Sequence, residues 1–183
     1  MDRRRKIEVE FIFFEFIFIL LLLLIPFYIL IIYNFEILSF KVFQAKLVSF
    51  LFSFIKVNVI VEENYLIIND SIFEISWDST GWKSMYILLA LIFATPLKFR
   101  NKYKYILIAI PATIFINLLR LFITIYSTII LNIDFNFFHL FLWRYFMGIY
   151  VLAFWFLFIY NQKYNIGKEL TILGRLYGRR KQP

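Results

Sequence analysis

Apolar residues in this chain fall into long unbroken runs separated by short polar stretches, not into the spaced stripes of a half-buried element. The first run extends over about 16–33, and a shorter one covers about 81–97. A third spans about 105–131 with Pro111 inside it, and a fourth about 140–160. At ~1.5 Å rise per residue, runs of this kind match a hydrocarbon core of ~30 Å, so the pattern predicts four membrane-crossing helices. Pro111 is tolerable in such a helix because neighbouring helices and hydroxyls can serve the freed carbonyl. A secretory signal has an apolar region of only about 7–15 residues and a small-residue cleavage site, so the first run reads as a retained span.

The stretch 34–78 is the one sizeable insertion between spans. From Phe40 to Ile55 apolar residues recur at three- and four-residue spacing, with Lys41, Gln44, Lys46 and Ser49 between them, which predicts an interfacial helix. The β-branched and aromatic runs Val57–Val61, Tyr65–Ile68 and Ile72–Ile75 are broken by polar clusters and predict a small β-hairpin or meander. The expected fold class is an all-α integral membrane protein. It is a single membrane domain over 1–183, a four-span bundle with an interfacial helix, a small β-hairpin on the outer face and a basic tail over 161–183.

Composition supports lipid as the solvent. The 183 residues are 62% hydrophobic and 17% charged, and the mean hydropathy is +0.78. Soluble domains average about 45–50% apolar and about 25% charged. Cysteine is absent and there is one histidine, which excludes disulfides, thiolate sites and multi-histidine metal centres, so no metal or cofactor is expected. A net charge of +8 could suggest nucleic acid, but in a membrane chain the position of each charge decides. Arg3, Arg4, Arg5 and Lys6 precede span one. Lys98, Arg100, Lys102 and Lys104 lie between spans two and three, and Lys163, Lys168, Arg175, Arg179, Arg180 and Lys181 lie in the tail. The opposite side carries only Lys41, Lys46 and Lys56. The positive-inside rule therefore puts both termini in the cytoplasm of a multi-pass plasma-membrane protein, with membrane lipids rather than nucleic acid as its surroundings.

Charges within spans are the exceptions that carry chemistry, since an arginine at mid-depth costs at least ~2.5 kcal/mol. Arg120 falls about 22 Å up a span that starts on the cytoplasmic side, and Arg144 about 6 Å below the outer lip of the next. Ser79 and Lys83 straddle the outer start of span two. Three separate segments thus bring polar groups to one depth, which points to a site opening outward.

Those segments read Trp77-Asp78-Ser79-Thr80-Gly81-Trp82-Lys83-Ser84, then Pro111 followed by Asn117-Leu118-Leu119-Arg120, then Arg144-Tyr145-Phe146-Met147-Gly148. Together they resemble the exosortase/archaeosortase family, multi-span transpeptidase-like enzymes that process C-terminal sorting tails of exported proteins. Family members have a β-rich stretch leading to Cys-x-Gly-x-x-Ser, a span with Pro followed by Asn-x-x-Arg, and a His or Arg four residues before Gly. Ser79 stands at the family's cysteine position, while Gly81, Ser84, Asn117, Arg120, Arg144 and Gly148 match. Arg144 before the glycine is similar to the archaeal branch. The resemblance implies Ser79 as nucleophile, Arg120 and Arg144 as its partners, and Asn117, Gly81, Ser84 and Gly148 around them. It also implies exported substrate proteins as partners and acyl transfer to an amine such as a lipid headgroup.

A serine needs a general base, and arginine, which stays protonated throughout the physiological range, cannot be one. The arginines would stabilise an oxyanion or orient a carboxylate. Lys83, four residues after Ser79, shares its face if both lie on one helical turn; His139 and Asp78 are the other candidate bases. Plainer readings stand beside these. Ser79 with Asp78 and Thr80 could cap span two, Lys83 and Arg144 could snorkel, and the glycines could permit close helix approach. Two further functions compete: a catalytically inactive member that binds sorting tails, and a small anion transporter or channel subunit using Arg120 and Arg144. The latter is weakened by the lack of internal repeats.

Overall fold

A computed structural model describes residues 3–69, 71–97, 99–131, 133, 141 and 145–178, with side chains between residues 10 and 162 of those segments. Helix α1 (Arg3–Ile32) leads to α2 (Leu38–Phe54). Three strands follow, β1 (Ile60–Glu62), β2 (Tyr65–Ile68) and β3 (Ser71–Glu74). A 3-10 turn (Asp78–Thr80) then enters α3 (Trp82–Ala94), α4 (Phe99–Ile130) and α5 (Met147–Gly178).

The protein is a mainly helical membrane protein, and of the four spans that hydropathy predicts two are long helices and two are short ones. Among the described residues, Glu10–Ile32 and Phe99–Ile130 are long and apolar enough to cross a bilayer. Helix α3 has 13 residues, about 20 Å of rise, and the apolar part of α5 is the short stretch Met147–Gln162. Helix α3 stops at Ala94 because Pro96 biases Thr95 out of the helical region, and Thr95 has ψ 125°. Helix α4 begins at Phe99, so Arg100, Lys102 and Lys104 ride on its first turns instead of forming the predicted loop. Lys102 is buried and its Nζ donates to the Phe93 carbonyl at 2.6 Å, serving one of the carbonyls left open where α3 ends.

The predicted hairpin is a three-stranded antiparallel meander in the order β1-β2-β3. Glu62 pairs with Tyr65 and Ile68 with Ser71, so each connection has two residues. Their first positions, Glu63 and Asn69, both have φ 52°, as tight two-residue hairpin loops require. Alternation sends Leu66 and Ile68 inward from β2.

The predicted interfacial helix exists as α2, but it does not lie alone on a surface. Gln44, Ala45, Val48 and Phe52 are buried against β2 and α4, while Phe43, Phe50 and Phe54 face outward. These side chains join Leu66, Ile68, Ile75, Leu118, Leu121 and Ile125 in one core around one end of α4. A second core of Leu88, Ile92, Ala109, Val151 and Phe158 ties α3, α4 and α5 together at the other end. Helix α1 packs along α3 through Phe27, whose ring lies 5.6 Å from that of Trp82, and through the Tyr86 hydroxyl, which donates to the Leu23 carbonyl at 2.8 Å. None of its most apolar window is buried, as suits a helix solvated by lipid.

Phe52 is 0% exposed and joins α2 to the sheet and α4. Phe52→Ala should therefore cost about 3–5 kcal/mol, read as a lowered thermal midpoint of the detergent-solubilised chain.

Candidate functional site

The predicted motif residues on α3 and α4 converge on the 3-10 turn. The Ser79 carbonyl accepts from Arg120 Nη2 at 2.6 Å and from Asn117 Nδ2 at 3.0 Å. Asn117 Nδ2 also donates to Gln44 Oε1 at 2.9 Å, and Gln44 Nε2 donates to the Thr80 carbonyl at 2.8 Å. Three donors from two helices therefore hold two consecutive carbonyls. All three side chains are essentially fully buried, and Arg120, at 1% exposure, is the largest buried side chain described. Asn117 and Arg120 reach the same carbonyl because i and i+3 lie together on α4.

The Ser79 hydroxyl points elsewhere. Its Oγ donates to the Ser76 carbonyl at 2.8 Å and lies 3.0 Å from Ser76 Oγ. The Ser76 hydroxyl also lies 3.3 Å from the Ser79 amide, from which it accepts. Ser79 does not cap α3. The N-cap is Gly81, with φ 77° and no side-chain cap bond. A β-carbon on Gly81 would stand 2.8 Å from Asn117 Cγ and Oδ1. Glycine here meets two demands at once, a left-handed backbone and close passage of α4.

Gly81 also breaks the helical turn between Ser79 and Lys83, so the i, i+4 face expected of that pair does not form. Lys83 Nζ instead pairs with Asp78 Oδ1 at 2.8 Å and lies 5.9 Å from the centre of the Trp82 ring. Ser84 is half-buried on the first turn of α3. Gly148 is exposed on α5, and a β-carbon there would meet nothing within 4 Å. His139 and Arg144 lie outside the described residues.

Two cavities adjoin the turn. One of about 110 Å³ is lined by Ser79, Ser76, Glu74, Leu121 and Thr124 among others. The other, about 360 Å³, lies between the end of α1 and the turn, lined by Asn34, Phe35, Glu36, Trp77, Asp78, Trp82 and Lys83, with Ser76 again in its wall. Ser76 thus separates the two. Among the described residues Arg120 Nε and Nη1 and Asn117 Oδ1 are buried without a partner. Unmet donors on a buried cation are costly, so an acceptor introduced there would be bound favourably.

Sequence reasoning missed Gln44, Ser76 and most of the polar face of α4. Gln44 is one of the polar residues between the apolar positions of α2, yet it lies in phase with Val48 and Phe52 at i+4 and i+8, all 0% exposed. That spacing was the available signal. Thr113, Thr124 and Ser127 extend the buried stripe of Asn117 and Arg120 along α4. The Thr113 and Thr124 hydroxyls satisfy themselves on the carbonyls of Ala109 and Arg120 at 2.7 and 2.8 Å, which makes such a stripe inexpensive inside a membrane helix.

A buried polar layer, carried by a lipid-crossing helix and closed around a hydroxyl-bearing turn, defines a membrane-embedded protein with an internal polar site. The family model described as Transmembrane exosortase (Exosortase_EpsH) matches residues 10–160, and the chain belongs to that family. No curated protein and no solved structure matches. The family consists of membrane peptidases and transpeptidases of the cysteine type that act on exported proteins. This sequence contains no cysteine.

Gly81→Ala should destabilise the chain and splay the turn from α4, seen as a lowered thermal midpoint. Adding Asn117→Ala should relieve the steric part of that loss, so the double variant should melt higher than the sum of the single effects predicts.

Proposed function

We propose that this chain is a serine-type sorting transpeptidase that cleaves C-terminal tails of exported proteins. The observation that carries the reading is the Ser79 turn, buried beside a cavity, with its carbonyl fixed by Arg120 and Asn117. Ser79 Oγ attacks the scissile carbonyl, its proton passes to a base, the C–N bond breaks and the departing amine takes a proton. The resulting ester is then attacked by an acceptor amine, a lipid headgroup in this reading, which forms the new amide and restores the hydroxyl. Two cavities meeting at Ser76 suit two reactants that arrive from different sides.

Arg120 offers Nε and Nη1 to the charge that develops on oxygen. Both are enclosed in the resting chain, so substrate entry has to part the layer. Arg144 is the second arginine of this reading, and His139, Lys83 and Asp78 are its base candidates. Lys83 and Asp78 neutralise one another at 2.8 Å, so Lys83 accepts a proton only after that pair opens and the ammonium has given one up. The site faces outward, with both termini in the cytoplasm and four helices within the bilayer.

A second reading, a tail-binding protein without catalysis, is favoured by one observation. Ser79 Oγ is bonded back to its own turn, and no base touches it among the described residues.

Ser79→Ala decides between the two readings. On the catalytic reading it abolishes tail processing in membranes and removes any fluorophosphonate adduct from the intact mass; on the binding reading function persists. Arg120→Lys, which keeps the charge but loses the planar fork, should slow processing by about 10²–10³-fold.

A further inference from the structure

We infer that Gln44, on α2, is a positioning residue for the Ser79 turn. The inference rests on Ser79 as the reacting group for its functional meaning, while its geometric content stands on the hydrogen bonds alone. Gln44 is completely buried. In apolar surroundings an amide is tolerated only when its donor and acceptor are both met. Here they are met by groups that belong to two different elements of the site.

The bonds form a closed ring. Gln44 Nε2 donates to the Thr80 carbonyl at 2.8 Å, Gln44 Oε1 accepts from Asn117 Nδ2 at 2.9 Å, and the same Nδ2 donates to the Ser79 carbonyl at 3.0 Å. The peptide joining Ser79 to Thr80 completes the circuit. Because both carbonyls are obligate acceptors, the direction of every bond is fixed. Gln44 has committed its donor to Thr80 and has only its oxygen left for Asn117, which forces Asn117 to present nitrogen to Ser79. The unpartnered Asn117 Oδ1 is the cost of that orientation. Were the Asn117 amide to turn over, its oxygen would face the Ser79 carbonyl. Gln44 therefore sets the rotamer of Asn117 as well as holding Thr80, and it does so from a segment 73 residues before Asn117.

Arg120 alone would leave the Ser79 carbonyl on one long, flexible tether. With the ring in place, the carbonyls on both sides of the Ser79–Thr80 junction are held, and the Ser79 side chain keeps a fixed direction into its cavity. A productive attack geometry tolerates little misplacement, so loosening this turn reduces turnover more than it reduces tail binding.

The test uses the full-length chain in lipid vesicles and exploits its lack of cysteine. Ser79→Cys places a single thiol on the turn. Its alkylation rate by a small maleimide is compared with that of Ser79→Cys combined with Gln44→Met, which keeps the volume, and with Gln44→Glu, whose ionised form keeps the shape but has no donor for Thr80. Positioning predicts alkylation at least fivefold faster in both double variants at an equal folded fraction, since a loosened turn exposes its side chain. A rate less than fivefold above the parent in the Gln44→Met background overturns the inference. If Gln44→Glu fails to fold, Gln44→Met still decides.

In the serine chain, Gln44→Met should lower kcat for tail processing at least tenfold with KM within twofold. A purely structural role would lower turnover and folded fraction in step, and alkylation would speed up only in proportion to the unfolded fraction. Faster alkylation in the double variants alongside full processing by Ser79→Ala would sink the nucleophile assignment while leaving Gln44 in its positioning role.

Discussion

Two adjacent backbone carbonyls, those of Ser79 and Thr80, are the point on which the polar interior of this protein turns. A 3-10 turn leaves such carbonyls without intrahelical donors, and inside a membrane protein there is no bulk water to take their place. The chain supplies donors from two distant helices, Arg120 and Asn117 from α4 and Gln44 from α2. Bringing them in requires α4 to pass close to Gly81, and it requires α2 to lie against both α4 and the sheet. The meander then acts as a spacer: it fills the space above α4 with Leu66, Ile68 and Ile75 and returns the chain to the start of the turn.

The same arrangement divides the work among charged groups. Arg120 carries its charge in a nearly closed space, where its one described partner is a neutral carbonyl. Lys83 and Asp78 hold theirs at the wall of the larger cavity, already paired. The serine hydroxyl stands between these regions, bonded to Ser76, which borders both cavities.

Much of this was legible in the sequence, for identifiable reasons. Asn117 and Arg120 stood out because charged and amide groups are rare in apolar runs, and their three-residue spacing put them on one face. Gly81 was marked by its place in the motif, and the structure adds the steric reason. Strand positions followed from β-branched runs, and the turns from Asn and Glu clusters. Gln44 gave no sign of burial because α2 carries apolar residues such as Phe43, Phe50 and Phe54 on its outward side too, so the polar positions alone do not tell its buried face from its outer one. The lysines and arginines before 105 suggest a loop, whereas α4 begins at Phe99 and draws Lys102 into its first turns to serve a carbonyl of α3. Long-range partnerships, such as Gln44 with Asn117, leave no local trace in a single sequence.

The shortness of α3 bears on where the Ser79 turn sits. Its 13 residues rise about 20 Å, roughly two thirds of a ~30 Å hydrocarbon layer. One end is tied to the Lys102 ammonium, a group that seeks the headgroup level. The opposite end, with its 3-10 turn, is then recessed beneath the far surface. Water reaches a recess of that kind sparingly, so the hydrogen bonds among its polar groups meet little competition from solvent and hold the turn more firmly than they would at an open surface.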